Sequence, residues 1–218
     1  MGTNHDLFAP RFHLSDVEII SKKRVWQGFF AIDQYDLRYP RFDGRPPKVL
    51  KREIFERDHD AVAVLPYDAL TDEVQLIEQF RPGALSDVDS PWLIEVLAGM
   101  IDTGETPLEA AVREMAEETG LKVDPGDLRL VTAQYPSPGG CSERTTLYIA
   151  NTDLSHLEKH GGLDSESEDI RVFKVSAAEA FAQCVNGRIH NAAALITLLY
   201  LQNCHAELRK EFLQARGR

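Results

Sequence analysis

Residues 99–121, with the sequence GMIDTGETPLEAAVREMAEETGL, constrain the fold most, because they predict a helix that is apolar on one side and acidic on another. Pro107 suits the first turn of this helix, where its missing N–H costs little, and Gly120 is placed to end it in the left-handed conformation. The apolar face of the predicted helix, 107–119, is formed by Leu108, Ala111, Val112 and Met115. This face predicts packing against a core.

The acidic side of the same helix lacks compensating bases. Glu114 and Glu118 lie one turn apart, Glu117 lies beside them at the i+3 spacing, and Arg113 is the only base in the segment. Like charges at these spacings repel each other. We therefore expect a cation from outside the chain, and clustered carboxylates suit hard cations such as Mg²⁺. The alternative is a solvated acidic face without function.

The size and charge of the chain limit the classes of function. Its 218 residues can bury a sizeable core, and a net charge of −11 argues against a general nucleic-acid binder. An anionic substrate stays compatible with this charge, because divalent cations can reverse the sign of an acidic site. Three widely spaced cysteines without a CxxC pair predict reduced thiols. Without a signal peptide or a membrane-length apolar run, we expect a cytoplasmic protein with no membrane partner.

The order of predicted elements indicates an α+β fold. Strands are predicted at 17–20, 26–39, 49–55, 61–66, 74–80, 128–135, 145–150 and 170–175. Beyond the helix at 107–119, two more helices are predicted at 176–186 and 191–214. Strands thus dominate early and helices are inserted and appended, which favours an α+β or α/β sandwich. We predict two parts, an N-terminal antiparallel sheet within 1–55 and a main domain at 56–218.

The helix and its flanks fit one longer pattern, G-x5-E-x7-R-E-aliphatic-x-E-E-x-G-aliphatic. Its defined positions are Gly99, Glu105, Arg113, Glu114, Met115, Glu117, Glu118, Gly120 and Leu121. This pattern resembles the Nudix box, and the chain resembles Nudix hydrolases. A motif with this many fixed positions is far more specific than a lone glycine motif, and it favours function over a solvated acidic face. The resemblance implies an α/β/α sandwich with the N-terminal sheet as an extension.

The resemblance also implies roles for the residues of the box. It implies Mg²⁺, or Mn²⁺ in its place, with two or more ions per site. The implied metal-binding groups are the backbone carbonyl of Ala98 and the carboxylates of Glu114, Glu117, Glu118 and Glu168. Glu117 and Glu118 are also the expected catalytic carboxylates. Glu105 and Arg113 are expected to pair and to fix the preceding loop against the helix.

Segments outside the box resemble the ADP-ribose pyrophosphatase subfamily. They are REIFER (52–57), IEQFR (77–81), PWLIEVLAGMI (91–101), SPGGCSER (137–144) and GLDSESEDI (162–170). This resemblance implies hydrolysis of ADP-ribose to AMP and ribose 5-phosphate. It further implies a homodimer in which the N-terminal sheet crosses to the partner.

The same resemblance implies substrate contacts for Phe29, Arg52, Arg81, Ser137 and Glu143. The two arginines would hold phosphate or stack on a base, since guanidinium does both; strand-edge surface charges are the alternative. Phe29 would stack on adenine, although either Phe29 or its neighbour Phe30 can instead be a plain core residue. Glu143 would accept hydrogen bonds from ribose, or only pair with Arg144.

The acidic loop 163–169 supplies the remaining candidates. The resemblance implies that Glu166 is the general base and that Glu168 belongs to the metal site. Because the two lie only two positions apart, the opposite assignment stays open. A carboxylate suffices as base when a metal-bound water has a lowered pKa.

Two other functions remain as alternatives. The substrate can be another nucleoside-diphosphate sugar, such as GDP-mannose or ADP-glucose. A non-catalytic ADP-ribose sensor would instead be expected to have a damaged glutamate cluster or a basic DNA-binding domain. The intact cluster and the negative net charge favour the enzyme.

Overall fold

The computed structural model describes residues 7–157, 160–162 and 168–217, and these form two compact units. The first unit contains the described residues of 1–58 together with 137–143. The second contains 59–136 and the described residues of 144–218. The predicted general base, Glu166, lies outside the described residues.

The first unit is built on a three-stranded antiparallel sheet in the order β1-β2-β3. Its strands are β1 (Glu18–Gln27), β2 (Ala31–Arg38) and β3 (Leu50–Glu56). The prediction of one strand over 26–39 is wrong, because the chain turns at 28–30 and β1 pairs with β2 across that turn. Gly28 makes the turn, and a Cβ there would lie 2.3 Å from the Trp26 ring. An alternating pattern alone does not show where two strands meet.

The second unit contains a mixed sheet whose main path is β10-β11-β5-β4-β9-β8, with β6 paired to β5 and β7 paired to β4. Its strands are β4 (Ala61–Asp68), β5 (Glu73–Phe80), β6 (Trp92–Glu95), β7 (Leu97–Met100), β8 (Leu128–Gln134), β9 (Thr145–Asn151), β10 (His160–Gly161) and β11 (Ile170–Ser176). Its helices are α1 (Pro107–Thr119), α2 (Ala177–Val185), α3 (Ala192–Asn203) and α4 (His205–Ala215). Strands β4 and β9 are parallel, and the other pairs are antiparallel.

Strand β4 is buried along its whole length, and its alternate residues enter two cores. Leu65 lies in the core that contains residues of α2, α3 and α4. Val64 lies in the other core, with Met115 of α1. A sheet covered by helices on both faces is the predicted α/β/α sandwich, and the α+β class is confirmed.

One sequence prediction in the second unit needs correction, and some short strands were not predicted. The helix predicted over 191–214 is two helices, because Cys204 leaves the helical conformation between α3 and α4. Strands β6 and β7 were not predicted, because each has only four residues and too short a pattern to recognise. The helix at 107–119 and the hairpin of β4 and β5 are confirmed. Of the described helices, none has the length and apolar character needed to cross a membrane.

Candidate active site

Helix α1 begins and ends as its sequence predicts. The Thr106 hydroxyl accepts a hydrogen bond from the backbone N–H of Glu109, and the Glu109 carboxylate accepts one from the Thr106 N–H at 2.8 Å. This reciprocal pair is a capping box that satisfies two donors at the helix start. Gly120 ends the helix with φ of 68°. Glu109, the one glutamate of this helix that the sequence pattern leaves unspecified, is therefore a capping residue.

Arg113 gathers three of the glutamates. Its Nε donates to Glu105 at 3.0 Å and its Nη1 donates to Glu114 at 2.8 Å and to Glu117 at 2.9 Å. Nη2 also donates to the backbone carbonyl of Met100 at 2.9 Å. The expected contact with Glu105 is thus present, and the chain itself supplies part of the positive charge that the helix needs. The sequence did not indicate that Arg113 would also engage Glu114 and Glu117.

Glu118 lies apart from this network. The residue is 6% exposed, and its Oε2 has no hydrogen-bond partner among the described residues. Burial and the negative charges of Glu114 and Glu168 raise the pKa of Glu118 to about 8, against the opposing effects of Arg81 and of a hydrogen bond from the Ala98 backbone. A buried carboxylate with an unsatisfied oxygen needs either a proton or a cation.

Glycines allow close packing around these carboxylates. A Cβ at Gly99 in β7 would lie 1.8 Å from Oε1 of Glu114, so the carboxylate occupies the space that a side chain would take. A Cβ at Gly161 in β10 would lie 2.2 Å from the backbone carbonyl of Glu118. The first glycine of the box is therefore required by a side chain fifteen positions later, and not by a turn.

Arg81 and Glu168 also lie near Glu118. Arg81 donates through Nε and Nη2 to both oxygens of Glu95, and the shortest contact is 2.7 Å. Its positive charge also interacts electrostatically with Glu118 and Glu168. Glu168 accepts a hydrogen bond from Nε2 of Gln79 at 3.3 Å. Sequence reasoning missed both Gln79 and Glu95. A single acidic residue within the apolar run WLIEVLA was the available indication for Glu95.

Comparisons with known proteins show the family of this chain. A sequence model of the NUDIX domain family matches residues 57–192. The chain belongs to this family. The Nudix resemblance drawn from the box is thereby confirmed, and the carboxylates of α1 lie within the matched region.

Three related proteins and one solved structure are similar to this Nudix chain. The ADP-ribose pyrophosphatase of Escherichia coli (strain K12) is 42% identical over 207 residues, which cover 95% of this chain and 98% of the relative. The ADP-ribose pyrophosphatase of Haemophilus influenzae (strain ATCC 51907 / DSM 11121 / KW20 / Rd) is 35% identical, covering 92% and 93%. A GDP-mannose pyrophosphatase of Escherichia coli (strain SMS-3-5 / SECEC) is 32% identical, covering 87% and 96%. A solved ADP compounds hydrolase has the same fold, with a TM-score of 0.64 at 22% identity over 88% of this chain and 97% of its own.

The other predicted substrate contacts of the Nudix chain lie in the first unit. Phe29 is 82% exposed, and its ring meets Phe30 edge to face at 4.7 Å between centroids. Phe30 packs further, on Phe55 at 4.9 Å and beside the guanidinium of Arg57 at 5.1 Å. The structure therefore distinguishes the two neighbours. The ring of Phe30 is packed against other side chains, whereas the ring of Phe29 is exposed enough to contact a ligand.

Glu143, Arg52 and Ser137 complete this group. Glu143 accepts a hydrogen bond from Arg57 at 2.5 Å, a partner that the sequence did not indicate. Arg52 is exposed on β3 and donates to the carbonyl of Lys51 at 2.8 Å. Ser137 is exposed, and its carbonyl accepts from the backbone N–H of Cys141 at 2.9 Å.

The residues of the Nudix box fit a divalent cation in one specific respect. No set of three or more His, Cys, Asp or Glu side chains in the described part of the chain is arranged to hold a metal ion as it stands. Glu114 and Glu117 are instead turned to Arg113. The unsatisfied Oε2 of Glu118, however, lacks the compensation that a cation would bring, and oxygen donors are those that Mg²⁺ prefers. The metal assignment therefore stays a prediction supported by Glu118.

Proposed function

We propose that this Nudix enzyme hydrolyses the pyrophosphate bond of ADP-ribose to give AMP and ribose 5-phosphate, in a reaction that depends on Mg²⁺ or Mn²⁺. The observation that carries the proposal is the buried Glu118 carboxylate, with one unsatisfied oxygen, beside Glu114, Glu168 and Arg81. Its pKa is perturbed by burial and by specific charged neighbours, which is typical of functional sites. The choice of ADP-ribose rests on the names of the relatives that match almost the whole chain.

Five groups would hold two or more cations in this proposal: the carbonyl of Ala98 and the carboxylates of Glu114, Glu117, Glu118 and Glu168. Divalent cations held there supply positive charge that offsets the negative charge of a pyrophosphate. Arg113, which already contacts Glu105, Glu114 and Glu117, would keep the last two of these carboxylates in place for the cations. Glu117 and Glu118 are the catalytic carboxylates of the box in this scheme.

The chain's own residues would bind the phosphates and accept the proton. Nη1 of Arg81 would donate to a phosphate oxygen, because the hydrogen bonds of the Arg81 guanidinium to described residues use only Nε and Nη2. The attacking water would give its proton to Glu166, with Glu168 as the alternative acceptor. The contact between Gln79 and Glu168 favours metal binding by Glu168 over proton transfer, since that carboxylate is already oriented by a side chain.

We further propose a homodimer in which 1–55 is the dimer-forming extension and 56–218 the catalytic domain. Strand β1 supports this, because its apolar residues are exposed within the chain: Ile19, Ile20, Val25 and Trp26. Phe29 and Arg52 of the partner subunit would contact the substrate, together with Ser137 and Glu143. The free state of all three cysteines supports a cytoplasmic location.

GDP-mannose is the second candidate substrate, because a relative at 32% identity is named for it. The test is product analysis with ADP-ribose, ADP-glucose, GDP-mannose and NADH, each with Mg²⁺ and with EDTA. We expect AMP and ribose 5-phosphate from ADP-ribose, only with Mg²⁺, and slower cleavage of the others. Faster cleavage of GDP-mannose or ADP-glucose would keep the hydrolase and replace the substrate. Tight binding of ADP-ribose without any cleavage would identify a sensor and refute the proposal.

A further inference from the structure

We propose that Asn191, the first residue before α3, is a positioning residue that orients Arg81 through Glu95. This inference rests on the proposed function, because Arg81 is there the phosphate-binding group. It adds a residue from the C-terminal part of the chain, far in sequence from both the Nudix box and the strand β5 that precedes Arg81.

The amide of Asn191 is used at both ends. Its Oδ1 accepts a hydrogen bond from the backbone N–H of Ala194 at 3.1 Å, which caps α3. Its Nδ2 donates to Oε1 of Glu95 at 3.1 Å. The cap fixes which end of the amide is the acceptor, so the donor is held toward Glu95 by the start of a helix.

Glu95 passes this constraint to Arg81. The residue is 4% exposed, and Nε of Arg81 lies 3.2 Å from its Oε1 and 3.1 Å from its Oε2. Nη2 of Arg81 donates to Oε2 at 2.7 Å. A carboxylate held by Asn191 on one oxygen cannot rotate freely, so the planar guanidinium that it binds is held in one orientation as well. Nη1 takes no part in these contacts with Glu95, and the Arg81 side chain is 38% exposed, so a phosphate can reach it.

Capping alone does not explain an asparagine at this position. Serine and aspartate cap helices about as well as asparagine does. Neither has an NH₂ group that reaches a carboxylate while the same side chain caps the helix. The amide is therefore required by Glu95 and not by α3, and substitutions can separate the two roles.

The test compares Asn191→Ser, which keeps the cap and removes the donor, with the wild type. We expect the KM for ADP-ribose to rise about tenfold with little change in kcat, because one hydrogen bond to a charged group is lost from a ground-state contact. Binding of ADP-ribose in EDTA, measured by calorimetry, should weaken by a similar factor. In the Arg81→Ala background, Asn191→Ser should add nothing further, since the two residues act in series.

The matched control is Ser176→Ala, which removes the cap of α2. Ser176 pairs with Glu73 at the first residue of β5, whereas Arg81 follows the last residue of that strand, so the control lies at the opposite end. It should lower the melting temperature and leave KM unchanged. Asn191→Thr, which also caps, lacks the NH₂ donor and adds no charge beside Glu95, replaces Asn191→Ser if that variant does not fold.

The outcomes separate the inference from the function on which it rests. A wild-type enzyme that cleaves ADP-ribose, with a raised KM in Arg81→Ala, supports the function whatever Asn191 does. An unchanged KM in Asn191→Ser, or effects of Asn191→Ser and Arg81→Ala that multiply, overturns the positioning role alone. A wild-type protein that neither binds nor cleaves ADP-ribose removes both.

Discussion

Asp33 in the first unit and Glu118 in the second are both buried carboxylates, but only Asp33 is surrounded by cations. Asp33 is 1% exposed and lies 2.9 Å from Nε of Arg24 and 3.0 Å from Nζ of Lys22. The hydrogen bonds from Arg24, and then those from Lys22, lower the pKa of Asp33 to about 2 despite its burial. Burial and like charges raise the pKa of Glu118 to about 8.

The difference separates a structural acid, Asp33, from Glu118, the acid that we propose to be functional. The charge of Asp33 is compensated within its own sheet, so ionisation of that residue stabilises the fold. The charge of Glu118 is not compensated, so ionisation costs stability until a cation arrives. Burial alone therefore says little about the role of an acidic residue, and the charges that surround it decide the role.

Glu118→Gln is expected to have the largest effect on activity, and it tests whether Glu118 differs from Asp33 as we propose. Loss of the charge should reduce kcat about 10²- to 10³-fold, as does removal of one well-placed electrostatic group from an active site. The stability of the metal-free protein should not fall, because an uncompensated charge is removed. The measurements are steady-state kinetics and thermal unfolding with and without Mg²⁺, which should raise the melting temperature of the wild type only.

Glu109→Gln is the matched control, because it makes the same chemical change on the same helix. The capping box accepts glutamine in place of glutamate, so both kcat and the melting temperature should stay near wild type. A loss of stability in Glu118→Gln without any loss of activity would reverse the assignment of Glu118.

Gly99→Ala should produce the next largest effect by displacing one carboxylate without removing it. The new Cβ would lie 1.8 Å from Oε1 of Glu114, so that side chain must move. We expect about a 10- to 100-fold loss of activity, which is the usual effect of substitutions that disturb the orientation of a metal-binding side chain. Kinetics and chemical unfolding should show this loss with a small change in stability, because the displaced group is the end of a flexible side chain. Gly126→Ala, with no atom within 4 Å of the new Cβ, is the control.

Asp33→Asn should have the opposite signature. Removing the charge leaves Lys22 and Arg24 without their shared acid, so the free energy of unfolding should fall by about 1–3 kcal/mol. The kcat of the folded enzyme should be unchanged. Urea unfolding at neutral pH and steady-state kinetics test this, and a fall in kcat at unchanged stability would mean that Asp33 has a role in the reaction.

The smallest expected effect is a pH dependence of the difference in stability between the wild type and Asp33→Asn. The pKa of Asp33 is lowered from 3.8 to about 2, first by the hydrogen bonds from Arg24. A lowered pKa contributes stability above the unfolded value, and this contribution is lost as the pH falls toward the folded value. The stability difference between wild type and Asp33→Asn should therefore be full at pH 5 and shrink toward pH 2. A difference that is independent of pH would show that charge is not the cause.

Several parts of the site could be predicted because they are local. The proline and the glycine that bound α1 act within a few positions of the helix, and the spacing of the box is read directly from the chain. The strands β4 and β5 were predictable for the same reason, as short apolar runs around a turn. The position of the turn between β1 and β2 was missed, although Gly28 is a local signal, because an alternating pattern alone does not show where two strands meet.

The sequence by itself determined the family, the acidic helix and the carboxylates that are candidates for metal binding, since all of these depend on spacing along one segment. Only the tertiary structure decided that Glu118 is buried with an unsatisfied oxygen near Arg81 and Glu168. Only it brought Asn191 to Glu95. The physical reason is that burial and charge compensation are set by residues distant in sequence, so they exist only once the chain has folded.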